Sequence, residues 1–71
     1  MDPYEAFLAE KLARLRSNLD RLVARAAERE ADKANRAAEY FLALAIDTDR
    51  RIHETQRDLD KHLAERRSWG V

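Results

Sequence analysis

The sequence predicts an all-α protein, a helical hairpin of two long antiparallel helices that dimerises into a four-helix bundle. Three observations predict this class. Ala, Leu, Arg and Glu, which are strong helix formers, dominate the 71-residue chain. Apolar residues recur at steps of three and four, in two stripes that are out of phase with each other. Charged residues make up 39% of the chain, so the faces outside the stripes are expected to contact water.

The first predicted helix covers residues 3 to about 30. Asp2 can serve as its N-cap, Pro3 suits the first helical position, and Glu5 can complete a capping box. Its apolar stripe consists of Tyr4, Leu8, Leu12, Leu15, Leu19, Leu22 and Ala26. Because the stripe has no break, we interpret this segment as one helix.

A polar segment at about residues 31 to 35 is predicted to be the turn, where Asp32 or Asn35 could cap a second helix. That helix is predicted to cover about residues 36 to 67, with Gly70 as its stop signal. Its stripe consists of Ala38, Phe41, Ala45, Thr48, Ile52, Thr55, Leu59 and Leu63. Because the turn segment contains no Gly or Pro, a single long coiled-coil helix is the alternative.

Each stripe of a lone hairpin would be covered on one side only. Pairing two hairpins into a four-helix bundle is the simplest way to cover the other side, so we expect the chain to bind itself as a homodimer. The predicted dimer core comprises Leu8, Leu12, Leu15, Leu19, Leu22, Phe41, Ala45, Ile52, Leu59 and Leu63.

The apolar run YFLALAI, residues 40 to 46, is too wide for one stripe. On a helix, Tyr40, Ala43 and Ile46 point away from the stripe, and an all-round apolar helix is buried all round. We therefore expect another protein to dock there, with Phe7 and Trp69 as further aromatic anchors. The alternatives are that a wide dimer core covers the run and that Trp69 only clamps the end of the bundle.

No catalytic residue and no cofactor are predicted. Cys is absent, Ser17 and Ser68 have no evident activating partner, and no Gly-rich phosphate loop is present. A small helical bundle without a deep pocket is also a poor scaffold for an enzyme. The sequence therefore predicts a protein that is not an enzyme.

No metal site is predicted, although each histidine has an aspartate four residues before it. His53 begins the string HETQR, but Arg57 replaces the second ligand of an HExxH motif. The pairs Asp49 and His53, and Asp58 and His62, have a spacing that could suit a metal ion. The same spacing occurs in ordinary surface pairs, and the facing carboxylates of a bundle metal site are missing.

A basic row on the first helix makes nucleic acid the alternative partner. At 100° per residue its members fall within about a third of the circumference: Lys11, Arg14, Arg21, Arg25, Arg29 and Arg36. Phe7 lies on the same side and could stack on a base. The 14 basic and 14 acidic residues balance, which argues against strong phosphate binding. The layout, a short hairpin dimer with a Phe along its first helix, is similar to the Rop family of plasmid RNA-binding proteins.

The start Met1-Asp2-Pro3 lacks the features of a secretory signal, and the apolar run is far shorter than the roughly 20 residues that span a bilayer. We therefore expect a cytoplasmic protein without a membrane partner. The predicted function is a homodimeric inhibitor, adaptor or regulator that binds another protein through an apolar helix face. The alternatives are a Rop-like RNA- or DNA-binding regulator and a purely structural coiled coil.

Overall fold

The computed structural model describes residues 2–69 and consists of two antiparallel α-helices joined by a tight turn. Helix α1 spans Pro3–Ala31 and helix α2 spans Asn35–Trp69. The chain forms a rod with extents of 58 × 16 × 11 Å. The predicted helical hairpin is confirmed, and the alternative of one continuous helix is wrong. The helix ends lie within two residues of the expected ones, and Gly70 lies outside the described residues.

The first turn of α1 is capped by Asp2. The backbone N–H of Tyr4 donates to the Asp2 carboxylate at 2.8 Å, as expected for an N-cap. Glu5, which was expected to complete a capping box, instead pairs with Arg66 of α2. The end of α2 lies beside the start of α1, so a cationic partner is available to Glu5 across the hairpin.

The turn is closed by a Schellman motif with Lys33 in the left-handed position. Lys33 has φ 60°, its N–H donates to the Glu30 carbonyl at 2.9 Å, and the Ala34 N–H donates to the Arg29 carbonyl at 2.8 Å. The helix therefore ends without the Gly that usually occupies this position. This is why the lack of Gly and Pro, which favoured a continuous helix, did not prevent a turn.

Neither predicted N-cap residue caps α2. Asp32 instead terminates α1, because its N–H donates to the Glu28 carbonyl at 3.0 Å. Asn35 is already the first residue of α2. The first backbone bond of α2 runs from the Ala38 N–H to the Ala34 carbonyl, at 3.0 Å.

We expect Lys33→Gly to raise the free energy of unfolding by about 0.5–1 kcal/mol, because Gly removes the strain of a Cβ atom at positive φ. Thermal or urea unfolding followed by circular dichroism measures the change. Lys33→Ala is the matched control and should differ little from the parent. A Lys33→Gly protein that is less stable than the Lys33→Ala protein would contradict the assigned turn geometry.

The contact between the helices is narrow and changes character along the rod. Towards the turn the buried side chains are Ala26, Ala38 and Ala45, whereas towards the open end they are Leu8, Leu12 and the polar Thr55. Small residues let the helices approach closely near the turn. The remaining residues of the predicted dimer core are only half-buried in the single chain: Leu15, Leu19, Leu22, Phe41, Ile52, Leu59 and Leu63.

The single hairpin exposes more surface than a compact chain of its size. Its solvent-accessible surface is 5687 Å², whereas a globular chain of 8.3 kDa exposes about 4,600 Å². The excess is on the order of 1,100 Å². Among residues 2–69 no large side chain is fully buried, so the apolar layer of one chain is incomplete.

Candidate interaction surfaces

A groove runs between the two helices along one face, which we call the groove face. Two adjoining hollows share Asp58, and a third follows about two turns closer to the turn of the hairpin. The floor of the groove is formed by Tyr4, Leu15, Leu22, Thr48, Thr55 and His62. One tyrosine and two leucines of α1 are thus partly exposed on this face, beside polar groups of α2.

The α1 rim of the groove is basic. Lys11, Arg21 and Arg25 line it, and none of the three makes an ion pair with another residue between 2 and 69. Arg14 lies beside this rim and is paired with Glu10 at 2.5 Å. The α1 rim therefore presents three positive charges that the chain itself leaves without a partner among its described residues.

The α2 rim carries both signs, with an acidic excess. Glu54, Asp58 and Glu65 line it together with Arg51 and Lys61. Arg51 pairs with Asp47 at 3.1 Å within α2, and Asp47 also pairs with Arg50 at 2.6 Å. The groove thus has a positive rim on one helix and, on the other, a rim of both signs with an acidic excess.

The opposite face of the hairpin is crossed by a polar bridge. The Arg16 guanidinium donates to the Gln56 side-chain carbonyl at 3.3 Å, and the Gln56 amide donates to Asp60 at 2.9 Å. Arg16 lies about 140° around α1 from Lys11, so the bridge and the groove are on different faces. Covering the bridged face would remove water from three hydrogen-bonded polar groups.

A cluster around His62 clamps the open end of the hairpin. Its side chain is 11% exposed, and Nε2 lies 2.9 Å from a carboxylate oxygen of Asp2. The His62 ring also packs edge-on against Tyr4, at 4.8 Å between centroids, and against Trp69 at 6.1 Å. Trp69 therefore contacts the clamp, as one of the two sequence alternatives expected, while remaining largely exposed.

The clamp perturbs Asp2. The hydrogen bond from the Tyr4 N–H, assisted by His62, lowers the pKa of the Asp2 carboxyl from its ordinary value. A carboxyl with a lowered pKa in the folded state stabilises the fold above its unfolded pKa of about 4, and this stabilisation is lost as the pH falls through the lower, folded-state pKa.

We expect Asp2→Asn to flatten the loss of stability on acidification. Asn can still cap the helix but does not titrate. The melting temperature of the Asp2→Asn protein should therefore fall less than that of the parent between pH 5 and pH 2. Melting curves at several pH values make the comparison, and Asp20→Asn, at an exposed position on α1, is the control. Parallel acid profiles for the parent and Asp2→Asn would contradict a titrating role for Asp2.

The two Asp–His pairs differ in their contacts in the described part of the chain. His53 lies 3.4 Å from Asp49, as an exposed surface pair. His62 bonds Asp2 of the α1 N-cap at 2.9 Å, and not its helical neighbour Asp58. No group of three or more possible ligands is gathered between residues 2 and 69.

The residues expected to bind a partner protein are distributed over the surface. Tyr40 is 62% exposed and Ile46 is 72% exposed, with Ala43 exposed between them on the outer side of α2. Phe7 is also exposed but lies on α1 beside Lys11 and Arg14, in a separate hollow. Phe7 and Trp69 therefore do not belong to the patch on α2.

The basic row is shorter than the sequence suggested. Arg36 lies on α2, beyond the turn. The other five members of the row lie on α1: Lys11, Arg14, Arg21, Arg25 and Arg29. The groove itself was missed by sequence reasoning. Its available signal was three polar residues at the edge of the second apolar stripe, Thr48, Thr55 and His62.

Comparisons with known proteins found no match to the chain among protein-family models, curated proteins or solved structures. Within residues 2–69, neither helix combines the length and apolar character needed to cross a membrane.

Proposed function

We propose that this chain is a non-enzymatic, cytoplasmic protein–protein interaction module. It forms a homodimer of helical hairpins and acts as an inhibitor, adaptor or regulator by binding another protein through the apolar outer side of α2. The observation that carries the proposal is the exposure of large apolar side chains on one short stretch of α2, with Tyr40 and Ile46 both mostly in solvent. Clusters of exposed apolar side chains commonly mark interaction sites, whereas single exposed apolar residues are ordinary.

The other described surfaces support this assignment over catalysis. The hollows between the helices are open and lined mainly by charged side chains, whereas catalytic pockets are enclosed and largely apolar. The half-buried leucines and the excess exposed surface support self-association.

Ile46→Glu is expected to abolish capture of the partner protein while the homodimer persists. A charge at the centre of a docking patch costs binding at least about tenfold, whereas Ile46 makes little contact within the hairpin. The assay is affinity capture from a host extract with mass spectrometry, followed by binding measurements on the captured protein. Arg57→Glu, on the same side of α2 but outside the apolar run, is the matched control. Equal capture by both variants would exclude this patch.

The runner-up function is a nucleic-acid-binding regulator that uses the basic row. The observation that favours it is the set of cations on the α1 rim, which are unpaired within the described residues. The acidic groups of the α2 rim oppose it, because they face the same groove. In this case RNA binding should weaken steeply with salt and should fall with Arg25→Ala. If neither partner class binds, a purely structural role in assembly is left.

A further inference from the structure

We infer that a second copy of this chain covers the groove face, with the dyad parallel to the helices, so that the two turns lie at the same end of the four-helix bundle. The inference rests on the homodimer of the proposed function and specifies its face and its symmetry. The juxtaposition that carries it is a basic rim on α1 opposite a rim on α2 that carries both signs with an acidic excess, on either side of a half-apolar groove.

The area of exposed surface favours a second copy as the occupant of the groove. The hairpin exposes on the order of 1,100 Å² more than a compact chain of its mass. A stable interface needs about 800 Å² from each partner, so covering one face of the rod suffices. A second hairpin, 58 Å long, is longer than the stretch of groove between Tyr4 and Arg25 and would cover it from end to end.

The groove face is better suited to this contact than the bridged face. Tyr4, Leu15 and Leu22 supply apolar area along its whole length. The opposite face would have to bury the bridge from Arg16 through Gln56 to Asp60. Because buried polar groups cost free energy unless every bond is kept, the groove face is favoured.

Charge then selects the symmetry. When two groove faces meet around a dyad parallel to the helices, each α1 lies against the partner's α2 at the same height along the rod. Lys11 of one chain then faces Glu54 and Asp58 of the other, because these three residues line one hollow at one level. Opposite charges meet at both copies of this contact.

The other possible dyad, perpendicular to the helices, places the turns at opposite ends. It brings α1 against the second copy's α1, so that the basic rim with Lys11, Arg21 and Arg25 meets an identical rim. Like charges then face each other along the contact between the two α1 helices, which is unfavourable. The distribution of charge on the groove face thus distinguishes two arrangements that bury the same apolar residues.

A charge exchange between two chains tests this arrangement. One variant carries Lys11→Glu, and the other carries Glu54→Lys and Asp58→Lys, the residues that line one hollow together. Each variant alone places like charges across the dyad, so its dimer should dissociate at least about tenfold more readily than the parent dimer. An equimolar mixture restores opposite charges only in the heterodimer, and sedimentation should show that the mixture dimerises with near-parental strength.

A distance measurement gives a second readout that does not depend on weakened variants. The chain has no Cys, so Asp32→Cys introduces a single labelling site at the turn. Spin labels on the two chains should lie about 20–30 Å apart when the turns share one end, set by the width of a four-helix bundle. In the opposed arrangement they would lie more than about 40 Å apart, since a helix rises 1.5 Å per residue.

The outcomes separate the inference from the proposed function. A parental dimer with distant labels, or a mixture no stronger than its components, overturns the groove-face arrangement and leaves the homodimer standing. A chain that sediments as a monomer at every concentration up to the millimolar range overturns both. Preferential heterodimers together with close labels support the arrangement.

Discussion

Replacing Leu12 with Ala is expected to lower the free energy of unfolding by about 2–4 kcal/mol. Leu12 is only 4% exposed and is one of two leucines that fill the helix contact towards the open end. Truncation removes apolar contacts and leaves a space that two rigid helices fill poorly. Since a small domain has a free energy of unfolding of only about 5–15 kcal/mol, this change removes a large share of it.

Val23→Ala is the matched control for Leu12→Ala. Val23 is 49% exposed on the same helix, so its truncation should cost less than about 1 kcal/mol. Urea unfolding at a fixed protein concentration measures both variants and keeps the dimer equilibrium constant between them. Similar losses for the two variants would mean that the helix contact does not lie where the hairpin places it.

Ala26→Leu is expected to destabilise the hairpin by about 1–3 kcal/mol. Ala26 is 3% exposed and lies near the turn, where the buried side chains of the helix contact are alanines. A larger side chain must push the helices apart or take a strained rotamer. The neighbouring Ala27 is exposed, so Ala27→Leu has the same change in composition without the packing cost.

Comparing Ala26→Leu with Ala27→Leu isolates the packing effect, because Leu and Ala have similar helix propensities. Thermal unfolding under identical conditions provides the measurement. We expect Ala27→Leu to stay within about 0.5 kcal/mol of the parent, as surface substitutions usually do. An Ala26→Leu protein as stable as the Ala27→Leu protein would contradict the close approach near the turn.

Periodicity was sufficient to predict the two helices, because the apolar stripes fall on the buried sides of both. It also placed Leu8, Leu12 and Ala45 in the contact, and all three are buried. The turn was located by the break in phase at the polar segment. Its closure was beyond sequence reasoning, since Lys33 has no intrinsic preference for positive φ and adopts it only as part of a Schellman motif.

The surfaces were harder to predict than the fold, because they depend on which flank of α1 lies beside which flank of α2. A stripe gives the direction of the contact but not the rotation of one helix about the other. The pairing of Glu5 with Arg66, and of Asp2 with His62, joins residues about 60 positions apart. Local patterns such as the capping box or the Asp58 and His62 spacing could not anticipate those partners.

The incomplete apolar layer of the single hairpin has a consequence for how long the protein lasts in a cell. In the proposed dimer, folding and association are one equilibrium, so the folded fraction rises with the amount of chain present. Chains that have not met a second copy open more often, and proteases cut the open form. For the proposed dimer we therefore expect the lifetime of each molecule to lengthen when its concentration exceeds the dissociation constant, and to shorten when dilution takes the concentration below it.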